Sequence, residues 1–203
     1  MPFIRAENIN CMKKQLLISV TIFTTLFSCN NESSPNQELS TNERSREEII
    51  QRGKALVSTS ACHDCHSPKI FTNEGMIPDT TRLLSGHPQD ESFPKIPAER
   101  EGWVLFSMGL TASVGPWGIS YAANLTPDDT GIGNWTYAQF ETAIRKGRYK
   151  GLEGSRPLLP PMPWQQFKNF SDQDLEAIFT YLKSIKPVNN LVRSPVSPDK
   201  VKS

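Results

Sequence analysis

The sequence predicts a mainly α-helical domain whose helices are joined by long loops. Three observations lead there. Apolar residues recur at helical spacing in three segments, and no segment shows the strict alternation of a half-buried strand. The 16 prolines fall mostly outside those three segments, where their fixed φ and missing N–H do no harm to a helix. A domain so rich in loops needs something besides regular structure to hold its core together.

The first segment runs from about Glu43 to Thr59, with Ile49, Ile50, Leu56 and Val57 forming its apolar stripe. Gly53 interrupts it at a propensity cost of about 1 kcal/mol relative to alanine, which makes sense if another helix approaches closely there. The second spans about Thr136 to Lys146, with Phe140, Ala143 and Ile144 on one face and Gly147 placed to end it. The third is the clearest. Ser171 can cap it, and Asp174 stands where a capping box usually has Glu or Gln. Leu175, Ile178, Phe179 and Leu182 follow at i, i+3, i+4 and i+7, and Pro187 closes the segment. Its natural partner is the first helix, which would bring Tyr181 near Gly53.

Ahead of the helices, Lys13 and Lys14 precede an apolar stretch from Leu16 to Phe27. A spanning helix needs about 20 residues, so this shorter stretch with its basic flank reads as a secretory signal. Met12 is the expected start of that signal. Leu26-Phe27-Ser28-Cys29 resembles a bacterial lipobox, which makes Cys29 the expected lipidation site and first mature residue. With more than one acyl chain the anchor would be stable. The expected organisation is thus a signal peptide over 1–28, a flexible tether over 29–42, a domain over 43–187 and a polar tail over 188–203. The tether is polar and lacks periodicity.

Charge excludes a nucleic-acid footprint: 22 Lys+Arg stand against 21 Asp+Glu, for a net charge of +1. Without residues 1–28 the balance is 19 against 20, so the mature chain has no global field to steer a strongly charged partner. The four cysteines are Cys11, Cys29, Cys62 and Cys65. The first precedes the signal and the second ends it, so no structural disulfide is expected.

The remaining two stand in Cys62-His63-Asp64-Cys65-His66, a C-x-x-C-H sequence that reads as a haem c attachment site. Each thiol can add to one haem vinyl group, and a turn with two intervening residues spans the vinyl separation. His66 then falls beneath the iron as an axial ligand. A thioredoxin-like dithiol would want a βαβ setting, and none is visible. A zinc site would need four ligands, with only His63 and His87 left to complete it. His63 reads as an exposed residue of the attachment turn.

For the opposite face of the iron the candidates are Met76, Met108, Met162 and His87. Met162 stands in Pro160-Pro161-Met162-Pro163-Trp164, where flanking prolines give a stiff loop able to present a thioether sulfur. The competing reading is that Met162 fills a gap in the core. Met108 reads as core, and His87, in Ser85-Gly86-His87-Pro88, as a turn or surface residue. Helices packed on a large apolar cofactor imply an apoprotein that folds poorly.

With these residues in place the chain resembles the class I c-type cytochrome family: a helix before C-x-x-C-H, a methionine in a proline-rich loop, and a final helix crossing the first. The likeness is sharper to the cytochrome c subunits of bacterial membrane-bound dehydrogenases. It rests on Ala123 to Asp128, Thr130 to Trp135, Pro160 to Trp164 and Leu175 to Ile185. The resemblance implies thioether bonds at Cys62 and Cys65, iron ligation by His66 and Met162, and a class I cytochrome c-like fold around one covalent haem. It implies single-electron transfer in the cell envelope, facing the periplasm, with a dehydrogenase as donor and an oxidase or another cytochrome as acceptor. Two departures stand out. Those subunits carry several haem motifs and this chain has one, and the stretch from Ser67 to Gly118 is long for a minimal member. No catalytic constellation is visible, so the chain is not expected to be an enzyme. The competitors are a haem enzyme or gas sensor with an open iron position, and an accessory haem subunit of a larger redox complex.

Overall fold

The computed structural model describes residues 35–97 and 100–201, with side chains from Ser45 onward. The signal, Cys11 and Cys29 lie outside the described residues. Five α-helices are present there: α1 (Pro35–Thr59), α2 (Cys62–His66), α3 (Tyr137–Lys146), α4 (Trp164–Phe167) and α5 (Asp172–Ser184). Helix α1 begins earlier than the expected Glu43, so its first turns occupy part of the stretch read as a tether. No described helix is long and apolar enough to cross a membrane.

Local chemistry accounts for the ends of the helices. Thr136 and Gln139 form a reciprocal capping box at the start of α3, and Gly147 ends that helix in the left-handed conformation. Ser171 accepts a hydrogen bond from the Asp174 amide at the start of α5. The close approach anticipated at Gly53 is present. A Cβ there would lie 2.0 Å from the Ala177 carbonyl oxygen and 2.7 Å from the Tyr181 Cβ. Helices α1 and α5 therefore touch backbone to backbone, with an Arg52–Asp174 ion pair of 2.5 Å beside the contact. Val57, Phe140, Leu175, Ile178 and Leu182 bury their side chains in this core together with Leu84 and Ile132. Ile49, expected in the apolar stripe, is exposed instead.

The expectation of no strands is corrected. Residues between α2 and α3 form two small antiparallel sheets: β1 (Lys69–Thr72) with β2 (Gly75–Pro78), and β3 (Leu105–Phe106), β4 (Ala112–Gly115), β5 (Gly118–Tyr121) in that order. Strands β4 and β5 join through the two residues Pro116 and Trp117, with Gly115 opposite Gly118. The second sheet carries its own core of Ile96, Val114 and Ile119, packed against Phe93, Tyr121, Val196 and Val201. Residues 188–201, expected as a polar tail, are thus part of the domain. Val196 exchanges two backbone hydrogen bonds with Ile119, at 2.8 and 3.0 Å. Gly118, at φ +93°, leaves room for that pairing, since a Cβ there would lie 2.0 Å from the Val196 carbonyl oxygen.

Candidate haem site

Helix α2 is five residues long and follows α1 through Ala61, which is held at φ 56° in the left-handed region. Cys62, Cys65 and His66 stand at i, i+3 and i+4, so one face of a single turn carries all three. The Lys69 ammonium donates to the carbonyl oxygens of His63 (3.0 Å), Asp64 (2.9 Å) and Ser67. A cation at these carbonyls suits the negative end of the helix. His63 is half-buried rather than exposed, with its Nδ1 2.9 Å from the Ser67 hydroxyl.

His66 is buried, and its Nδ1 lies 2.7 Å from the Ala123 carbonyl oxygen. A carbonyl only accepts, so Nδ1 carries the proton and Nε2 keeps its lone pair. Burial holds the His66 pKa below its ordinary value, against the opposing pull of the Ala123 carbonyl. The imidazole is therefore neutral near pH 7, in the form and tautomer that bind a metal through Nε2.

Burial pushes the Cys62 thiol up to about 11, with the nearby charges of Cys65 and Asp64 adding to it against a backbone hydrogen bond. Cys65 is also raised, by burial and then by Asp64. A redox dithiol needs a depressed thiol pKa, and these shifts run the other way. Two neutral thiols beside an oriented imidazole, all on one face of one turn, fit a covalently attached haem.

The carbonyl that orients His66 is itself held. Gly86 N–H donates to the His66 carbonyl (2.8 Å), and His87 N–H donates to the Ala122 carbonyl (2.9 Å). Gly86, at φ +80°, permits this: a Cβ there would lie 2.5 Å from the Ala122 oxygen and 2.6 Å from the Ala123 carbonyl carbon. Next along the chain, the Asn124 side chain donates to Thr130 Oγ1 and to the carbonyls of Val188 and Asn190. It also accepts from Thr126 N–H and Thr126 Oγ1. Asn190 in turn donates to the carbonyls of Ser85 (2.7 Å) and His87 (2.9 Å). The stretch from Ala123 to Asn134 thus acts as a hub that fixes the His66 support. Asn190 was invisible as a support residue in the sequence, because nothing marks its surroundings except polarity.

His87 overturns the surface reading. It is fully buried, with Nδ1 2.9 Å from Thr111 Oγ1 and its ring centroid 4.9 Å from that of Tyr121. Its Nε2 is buried with no hydrogen-bond partner among the described residues. Burial and then Arg193 lower its pKa to about 4. Met108 overturns its reading too: it is 74% exposed, not core. Met76 sits on β2 opposite Phe71, and both side chains are exposed.

Met162 is half-buried and lies in a loop held at three points. Leu158 N–H donates to the Gly147 carbonyl (2.7 Å), the Ser120 hydroxyl donates to the Pro160 carbonyl (2.6 Å), and Trp164 N–H donates to the Met162 carbonyl (3.0 Å). Trp164 packs on Gly147, where a Cβ would lie 2.4 Å from its ring.

Comparison with known proteins agrees with this geometry. The cytochrome c family model matches residues 50–186. A nicotinate dehydrogenase subunit of Pseudomonas putida is 43% identical over 74 residues, 36% of this chain and 6% of that protein. The cytochrome c subunit of the quinone-dependent alcohol dehydrogenase of Gluconacetobacter polyoxogenes is 39% identical over 82 residues, 39% of this chain and 17% of that one. The gluconate 2-dehydrogenase cytochrome c subunit of Pantoea cypripedii is 28% identical over 148 residues, covering 72% of this chain and 25% of that subunit. The chain therefore spans a quarter or less of the length of each of these relatives. With the family model covering most of the described domain and haem-compatible residues at its centre, this chain belongs to the cytochrome c family.

Proposed function

We propose that this chain transfers single electrons through one haem c, bound by thioethers at Cys62 and Cys65 and ligated by His66 and Met162. The observation that carries the reading is the His66 hydrogen bond to Ala123, which leaves Nε2 as the free ligand atom. When bound, the haem supplies one-electron iron chemistry. The protein's part is to hold both ligands still through each transfer. The Ala123 carbonyl makes the His66 imidazole a stronger donor, which favours the ferric state, while a methionine ligand raises the potential. Burial of the site acts in the same direction as Met162. Nothing in this scheme requires an acid, a base or a substrate pocket, so the chain acts as a carrier and not as an enzyme.

The relatives bear the names of dehydrogenase subunits, which supports a partner of that kind. The proposed donor is a membrane-associated dehydrogenase, and the acceptor is an oxidase or another cytochrome. Export through residues 1–28 and lipidation at Cys29 would hold the domain at the bacterial envelope, facing the periplasm.

Spectra of the oxidised and reduced holoprotein test the ligand set. A weak far-red sulfur-to-iron band in the ferric protein is expected, and Met162→Ala should abolish it. A high-spin wild type that binds carbon monoxide readily would instead favour the open-site reading.

A further inference from the structure

Strand β5 connects the two ends of the candidate site. Its continuation, Ala123, orients His66 through Nδ1 at 2.7 Å. Three residues earlier, Ser120 bonds the Pro160 carbonyl at 2.6 Å, two residues before Met162. We propose that Ser120 is the positioning residue for Met162, so that one strand clamps both axial ligands; this rests on the Met162 ligation proposed above.

The proton positions follow from the inventory. The Pro160 carbonyl cannot donate, so the Ser120 hydroxyl does. Its oxygen then has two lone pairs left. Trp117 Nε1–H fills one at 3.2 Å, and the Ser113 hydroxyl, at 2.9 Å, must donate into the other. Ser113 and Ser120 are both buried, so solvent has little access to their mutual bond, while the bonds to Trp117 and Pro160 are part-buried. The loop has few other ways to be held, because prolines at 157, 160, 161 and 163 have no N–H to give. A carbonyl grip is what such a loop can offer, and Ser120 takes it. This also gives work to the β3–β5 sheet, whose first two strands lie in the long stretch from Ser67 to Gly118.

Removing the hydroxyl leaves the Pro160 carbonyl and the Trp117 N–H unpaired together. Losing these two part-buried hydrogen bonds together raises the Met162-dissociated population by about tenfold. Imidazole binding to the ferric holoprotein reads that population, because it competes with Met162 for iron. Ser120→Ala should bind imidazole about tenfold more tightly and lose the far-red band at lower pH. Ser120→Thr keeps the hydroxyl, and Ser113→Ala leaves the Pro160 bond intact; both should stay within about twofold of wild type. Equal imidazole affinity in Ser120→Ala and wild type would overturn the proposal, as would a Ser113→Ala effect as large as that of Ser120→Ala. If Ser120→Ala does not mature with haem, Ser120→Cys carries the test: a thiol is a much weaker donor to the Pro160 carbonyl, so about threefold tighter imidazole binding is expected, and no change overturns it. Failure of the ligation itself looks different, since the wild type would then lack the far-red band and Met162→Ala would bind imidazole no more tightly.

Discussion

Replacing Gly53 with alanine sets two known effects against each other. By helix propensity alone, Gly53→Ala in α1 should stabilise the protein by about 1 kcal/mol. The packing says the reverse. The new methyl would lie 2.0 Å from the Ala177 carbonyl oxygen, 2.6 Å from the Ala177 carbonyl carbon and 2.7 Å from the Tyr181 Cβ. The first two belong to the backbone of α5, so rotating a side chain cannot relieve the overlap. Helix α5 must move by about 1 Å to restore van der Waals separation, and Leu175, Ile178 and Leu182 must move with it. Overpacking of this kind costs about 1–3 kcal/mol and occasionally more. With backbone on the receiving side, about 3 kcal/mol or more is expected, leaving a net loss of about 2 kcal/mol after the propensity gain. For a domain of this size that lowers the melting temperature by roughly 4–8 °C. Thermal unfolding of the full holoprotein, followed by circular dichroism at 222 nm, is the assay. A Gly53→Ala protein that melts at or above the wild-type temperature would refute the close α1–α5 crossing.

Two further outcomes concern the support of His66. Asn190→Ala removes the buried amide that bonds the Ser85 and His87 carbonyls and accepts from Gln89 N–H; a loss of about 2–3 kcal/mol is expected in denaturant titration, and a loss under about 0.5 kcal/mol would mean that residues 188–201 are a dispensable tail. His87 titrates at about 4 in the fold against its ordinary 6.5, facing Tyr121 and Arg193. Between those values the unfolded chain binds a proton that the fold refuses, so stability falls as pH drops from about 6.5 toward 4, by up to about 3 kcal/mol. That contribution is complete above pH 6.5, and His87→Gln should flatten this part of the stability–pH curve; an unchanged slope would contradict the buried neutral ring.

The helical half of the fold was legible because its signals are local. Thr136 with Gly147, and Ser171 with Asp174, mark the ends of α3 and α5, and Gly53 has no reason to interrupt α1 unless something presses on it. The attachment turn was legible for the same reason, since three functional groups fit within five residues. The sheets were not. Ile70, Phe71, Met76 and Ile77 are apolar on both faces of the β1–β2 hairpin, and all four are exposed. Strands β4 and β5 bury serines among apolar residues because Ser113 and Ser120 satisfy each other, a pairing that residue type alone cannot reveal. Gly115-Pro116-Trp117-Gly118 did carry a signal, as a two-residue turn between glycines. His87 misleads by composition, since its burial depends on Thr111, 24 residues away.

Iron ligation by Met162 can be read in the proton magnetic resonance spectrum of the ferrous holoprotein. The methyl group of an iron-bound methionine lies over the haem face, where the ring current shields it strongly. A three-proton signal far upfield of the protein envelope is expected, present in the wild type and absent in Met162→Ala. A wild-type spectrum with no such signal, or one whose signal survives Met162→Ala, would contradict it.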